Sequence, residues 1–165
     1  MKTVFIALGG NLGDVKAAFQ SARNTIAALP DTELINSSSL YRTPPVGPAG
    51  QPDSLNAVIA VTTAMQAIER LEAFQAIDLA HGRERKEHWG ARTLDLDIVA
   101  IDQNMISSER LSVPLPLMFG RLFVLRPLCD LAPQWQHPQL KLSAAEGLEK
   151  IIAAGEPPLP EGEAW

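Results

Sequence analysis

From Arg92 to Val99 the chain reads Arg-Thr-Leu-Asp-Leu-Asp-Ile-Val, an alternation of apolar and acidic residues that describes a two-faced strand. Successive side chains on a strand point to opposite faces, so Asp95 and Asp97 share one face while Leu94, Leu96 and Ile98 turn toward a core. Two neighbouring carboxylates on an otherwise apolar strand repel each other and resist desolvation. A divalent cation relieves both problems. Magnesium takes one or two protein carboxylates together with waters and phosphate oxygens, the usual arrangement for phosphoryl transfer. The same alternation also describes a solvated edge strand whose outward acids discourage edge pairing. On this strand alone both readings stand.

The rest of the chain supplies a setting. Thr3 to Leu8 reads as a buried strand, closed by Gly9-Gly10-Asn11 and then Gly13-Asp14. Asp14 is placed to cap a helix from Val15 to Leu29, with Ala17, Ala18, Ala22, Ile26 and Leu29 as its apolar stripe. Glu33 to Tyr41 fits a strand, weakened by Ser37-Ser38-Ser39. The stretch from Thr43 to Pro52 holds four of the 13 prolines and reads as an irregular loop. Leu55 to Thr63 is a strand with Val, Ile and Ala at alternating positions, and Ala64 to His81 a second helix. Gly82 to Ala91 is charged, aperiodic and glycine-flanked, the pattern of a long mobile loop.

Thr93 to Asp102 is then a strand, followed by a turn at Asp102-Gln103-Asn104, a short strand near Leu111–Val113, a short helix from Val124 to Leu131 and an irregular tail over 156–165. With no repeat and no linker, residues 1–165 are expected to form a single domain. The order strand, helix, strand, strand, helix, strand is that of the α+β ferredoxin-like class, a βαββαβ core here with additional C-terminal helices.

Composition removes other classes. A net charge of −5 and 5% aromatic residues argue against nucleic-acid and anionic-membrane partners, which want a basic or stacking surface. No run of roughly 18 apolar residues suits a membrane helix, and the apolar N-terminus is a poor signal peptide. The lone cysteine, Cys129, reads as a small core residue, and a cytoplasmic, monomeric protein is expected.

Directly before the acidic strand, Gly82-Arg83-Glu84-Arg85-Lys86-Glu87-His88-Trp89-Gly90-Ala91-Arg92 sets three arginines and a lysine against two glutamates. Arginine binds phosphate bidentately, and a glycine-flanked loop can close over a substrate. A charged surface loop is the plain alternative. Cationic loop beside acidic strand is the composition of a metal–nucleotide site, although no Walker string is present. Gly9-Gly10-Asn11-Leu12-Gly13 reads only as a strand-to-helix turn.

The string Trp89-Gly90-Ala91-Arg92-Thr93-Leu94-Asp95-Leu96-Asp97-Ile98-Val99 closely resembles the signature of the 6-hydroxymethyl-7,8-dihydropterin pyrophosphokinase family. The resemblance extends through Ala7–Gly13, Ser39–Gly47, Gln51–Asn56, Glu109–Pro114 and Arg121–Leu128, over residues 3 to 135. It implies transfer of the pyrophosphoryl group of ATP to the hydroxymethyl of the pterin, in folate biosynthesis. It implies two magnesium ions on Asp95 and Asp97, with Arg83 and Arg92 joining these aspartates as catalytic residues. Around ATP it places Gln75, Asp78, Arg85, Trp89, Arg92, Ile98, Arg110, Ser112 and Arg121. Around the pterin it places Thr43, Pro44, Pro45, Val46, Ser54, Asn56, Trp89, Asp95 and Phe123, with the Asn56 amide bonding the ring edge and Phe123 stacking on it.

The chain departs from the family pattern at Ser54, where an aromatic is usual, and at Leu115, where histidine is expected. Asp78 is one methylene shorter than the usual glutamate, and the basic loop is about a residue short. These departures define the alternative, a divergent paralogue that binds nucleotide or pterin with little turnover.

Overall fold

A computed structural model of the chain describes residues 1–43, 53–80 and 94–165. Along it run β1 (Lys2–Gly10), α1 (Val15–Ala27), β2 (Thr32–Ser37), β3 (Tyr41–Thr43), β4 (Ser54–Thr63), α2 (Ala67–Ala80), β5 (Asp95–Ile101), β6 (Ile106–Ser107), β7 (Ser112–Val113), α3 (Leu122–Leu131) and α4 (Ala144–Ala153). The main sheet has the order β2-β4-β1-β5, with β3 also on β4, and every pairing is antiparallel. This is the ferredoxin-like arrangement, extended by C-terminal helices.

Each face of the sheet has its own core. Val4, Ile6, Leu8, Ile59, Val61, Leu94, Leu96 and Ile98 pack with Val15, Phe19, Ala22 and Ile26 of α1 and Phe74 and Ile77 of α2. The opposite face meets the C-terminal helices: Phe5, Val58, Ala60, Val99 and Ala100 pack with Met118, Val124, Leu125, Leu128 and Ala144. β4, the strand expected over Leu55 to Thr63, is therefore buried on both sides along most of its length.

Local chemistry sets the boundaries. The Asp14 carboxylate accepts from the Ala17 amide at 3.0 Å, which starts α1 where expected. Phe19, not the exposed Ala17, completes the buried stripe. The expected strand from Glu33 to Tyr41 is two strands. At the break the Ser38 amide donates to Val58 O at 2.8 Å, while its hydroxyl accepts from Val58 N at 2.9 Å, so a side chain replaces a ladder carbonyl. α2 begins at Ala67 rather than Ala64 because the preceding residues fold back, Ala64 N donating to Asp31 O and Met65 N to the Thr63 hydroxyl. α4 starts at a capping box in which Ser143 and Glu146 satisfy each other's amides. The expected loops over 44–52 and 82–91 lie outside the described residues.

Leu128 is 0% exposed between sheet and helices, so Leu128→Ala should destabilise the protein by about 2–5 kcal/mol. Met105 is 61% exposed, and Met105→Ala should change stability by less than about 0.5 kcal/mol. Urea unfolding of the two variants with a common slope checks the contrast.

Candidate active site

Beyond the residues that meet α3 and α4, the second face of the sheet turns polar. Strand register places Tyr41, Asn56, Gly9 and Asp95 side by side in one cross-strand row. Val58, Ala7 and Asp97 form the next row, and Thr43 with Ser54 the row on the other side. Directly opposed residues share a face, as do residues two apart on one strand. Hence Thr43, Ser54, Asn56, Asp95 and Asp97, selected from sequence as site residues, stand on one surface. Asn56 and Asp95 are two strand spacings apart, roughly 9–10 Å.

Between them Gly9 contributes no side chain. A Cβ at Gly9 would lie 3.4 Å from Asn56 Oδ1, so a larger residue would press on that amide and stand beside the acids. Gly9 and Gly10 thus belong to β1 rather than to a strand-to-helix turn, which is left to Gly13 at φ 71°. Asn56 is 8% exposed and donates from Nδ2 to the Thr43 hydroxyl at 3.1 Å, which orients its amide. Its carbonyl oxygen faces the Gly9 side.

Asp95 is half-buried and Asp97 exposed, while β5 becomes buried from Ile98 onward. Two carboxylates at alternate strand positions beside Ala7 and Gly9 fit a hard cation that needs one or two protein oxygens and completes its shell with water and phosphate. Among the described residues no group of three or more His, Cys, Asp or Glu forms a fuller metal cage. The donor set suits magnesium shared with a substrate.

The other expected residues that the structure describes lie on α2, β5, β7 and α3 and on the segments beside them. Phe123, 39% exposed, lies on the first turn of α3, next to the half-buried Arg121. On the α2 side Gln75 is exposed, and one helical turn earlier Glu72 meets Arg110 at 3.6 Å. Ser112 is half-buried in β7, opposite Ser107. Ile98 is buried in the first core, which leaves only its backbone for a nucleotide. Leu115 packs on the second core and its amide donates to Val99 O at 2.8 Å, so this position is a docking point for the segment along β5. Pro44, Pro45, Val46, Arg83, Arg85, Trp89 and Arg92, and the Asp78 side chain, lie outside the described residues.

Sequence reasoning passed over the group that joins α3 to the sheet. The Asp130 carboxylate accepts from the Tyr41 hydroxyl at 2.7 Å, from the Ser39 amide at 3.1 Å and from Arg126 at 2.7 Å. Burial, and then the bond to Asp130, push the Tyr41 phenol up to about 12. Only the position of Tyr41 within the motif Ser39-Leu40-Tyr41-Arg42-Thr43 signalled it.

Fold and site together define an α+β protein of ferredoxin-like topology with an acidic pair suited to a metal–phosphate substrate. Its relatives are consistent. Residues 5–133 match the family model for 7,8-dihydro-6-hydroxymethylpterin-pyrophosphokinase. A 2-amino-4-hydroxy-6-hydroxymethyldihydropteridine pyrophosphokinase of Pseudomonas aeruginosa is 40% identical over 93% of this chain and 99% of its own. One from Haemophilus influenzae is 40% identical over 86% of this chain and 89% of its own. A crystal structure of Plasmodium falciparum HPPK-DHPS with pteroate superposes with a TM-score of 0.72 at 13% identity, over 92% of this chain, which spans 42% of that one. The chain belongs to the 7,8-dihydro-6-hydroxymethylpterin-pyrophosphokinase family.

Tyr41 is the sole tyrosine, so the near-ultraviolet tyrosinate band reports it alone. A raised folded-state pKa means that the neutral phenol stabilises the fold below pH ~10 and that this contribution is lost as pH rises toward about 12. At pH ~10 the folded protein should show little tyrosinate, and denaturant should raise the band to about half its full value. Asp130→Asn should move the folded midpoint down. A folded midpoint at the unfolded value would refute the buried hydrogen bond.

Proposed function

We propose that this protein transfers the β,γ-pyrophosphoryl group of ATP to 6-hydroxymethyl-7,8-dihydropterin, releasing AMP and the pterin diphosphate in folate biosynthesis. The observation that carries the reading is the row joining Asn56, Gly9 and Asp95, with Asp97 beside it, within a chain of this family. The pterin hydroxymethyl oxygen attacks the β-phosphorus, the bond from that phosphorus to the α-bridging oxygen breaks, and AMP leaves with the electron pair. The hydroxyl proton passes to solvent.

The residues take roles by position. Asn56 offers the pterin edge both a donor and an acceptor. Thr43 holds that amide, and Phe123 supplies an exposed ring for stacking. Two strand spacings then set the hydroxymethyl end of the pterin toward Asp95 and Asp97. These carboxylates would hold two magnesium ions, which supply charge neutralisation for the triphosphate. Arg83, Arg85, Arg92 and Trp89, with Gln75, Asp78, Ile98, Arg110, Ser112 and Arg121, are assigned to the nucleotide, and Pro44 to Val46 to the pterin. We propose further that the protein acts as a cytoplasmic monomer.

A coupled AMP-release assay with ATP, magnesium and the reduced pterin alcohol tests the reading. In it Asp95→Asn and Asp97→Asn should each lose nearly all turnover. A single variant that keeps more than about a tenth of the wild-type rate, a loss under ~1.4 kcal/mol, would sink the metal assignment.

Ser54 lies opposite Thr43 on the site face, where the family usually places an aromatic. One ring contact, worth roughly 0.5–1.5 kcal/mol beyond area burial, is therefore missing. Ser54→Tyr should tighten pterin binding by a few-fold to about tenfold and leave ATP affinity nearly unchanged. Phe123→Ala should weaken it markedly. Calorimetric titration of the pterin with an ATP analogue present decides, and unchanged pterin affinity in both variants would reopen the substrate assignment.

A further inference from the structure

The tail after α4 is irregular in backbone, as Pro157, Pro158 and Pro160 suggest, but its end from Gly162 to Trp165 is docked at several points. Glu163 and Leu40 exchange two backbone hydrogen bonds, each 2.8 Å. The Glu163 carboxylate takes Arg42 Nε at 2.7 Å and its terminal nitrogen at 3.4 Å. The Trp165 indole N–H donates to Ser38 O at 2.7 Å. Its ring lies edge-on to Phe19 at 5.8 Å and under the Arg23 guanidinium at 3.9 Å. Arg23 also donates to Ser37 Oγ and to Trp165 O, each 3.2 Å. At Gly162 the approach is closest, since a Cβ there would come within 2.4 Å of Ser39 Cβ.

Apart from those that Trp165 makes with Phe19 and Arg23 of α1, these contacts converge on residues 37–42, where the chain passes from β2 to β3. β3 has three residues and among the described residues pairs only with β4, so by itself it is a short and weakly held strand. The exchange between Leu40 and Glu163 braces its start from the other side. Tyr41 and Thr43 then follow on the site face, and Thr43 holds Asn56. The Arg42–Glu163 pair is half exposed, and such a pair adds little to stability. Its two-point geometry instead fixes direction.

We propose that the segment Gly162–Trp165 is a positioning element for the pterin half of the site, acting through Arg42 and Leu40 on Thr43 and Asn56. The proposal rests on the assignment of Thr43 and Asn56 to the pterin. The nucleotide half, at Asp95, Asp97 and α2, makes none of these contacts among the described residues. Loosening the tail should therefore raise the Michaelis constant for the pterin and spare that for ATP.

Four variants test this: Gly162→Ala, Glu163→Arg, Arg42→Glu and the double exchange Arg42→Glu/Glu163→Arg. Steady-state AMP release is measured well below each thermal midpoint. The single variants should raise pterin KM by about three- to tenfold, with kcat and ATP KM within about twofold of wild type. The double exchange should restore pterin KM. Wild-type turnover with pterin KM unmoved in all single variants overturns the positioning role and leaves the functional reading intact, as does a parallel rise in both Michaelis constants. Absence of AMP release by wild type overturns the functional reading. Amide exchange then judges the strap without turnover: residues 39–43 should exchange faster in Gly162→Ala while 96–101 stay unchanged, and equal exchange over 39–43 refutes it.

Discussion

The polar end of the sheet depends on one register, that of β1 between its two antiparallel neighbours. Because Gly9 stands opposite both Asn56 and Asp95, an amide and a carboxylate from two strands separated by β1 share one surface. Side-chain direction on a strand has a period of two, so a slip of one residue would turn Asp95 and Asp97 inward and Leu94, Leu96 and Ile98 outward. Desolvating two carboxylates while exposing three aliphatic chains is prohibitive. The core that buries Val4, Ile6 and Leu8 against Leu96 and Ile98 thereby also aligns the site.

β5 changes character along its length through an irregularity in this pairing. Ile6 faces Ile98, but Phe5 faces Ala100, so Val99 is an extra residue on β5. A bulge shifts the alternation, which lets Val99 and Ala100 both join the second core while Ile101 returns to the first. The same residue offers its carbonyl to Leu115 and anchors the segment after β7 along the edge. Acidic and open at its start, wholly buried at its end, the strand joins the site to the helical layer.

Much of this was legible in the chain. Alternation around Asp95 and Asp97 gave their shared face, the Asp14 cap gave the start of α1, and the element order gave the ferredoxin-like topology. Family motifs added Thr43, Ser54 and Asn56, which register brings together. What escaped rests on partners distant in sequence. Ser38 breaks the second strand through Val58, and the start of α2 is delayed by bonds to Asp31 and Thr63. Asp130 gathers Ser39 and Tyr41 from some ninety residues away, and Trp165 closes on Ser38 across 127. Leu115 stands in the sequence only as a departure from an expected histidine, and the folded sheet shows it packed on the second core with its amide on Val99 O.

One sheet face thus serves two masters. Leu125, Leu128 and Met118 hold its far half closed, while Ser54 and Asn56 stand on the polar half. Selection on folding and selection on substrate act on different residues of the same strands. Positions at the polar rim, Ser54 among them, can change without the helical layer having to repack in response. Such a layout lets a lineage explore weaker or tighter substrate contacts while the protein it inherits stays foldable.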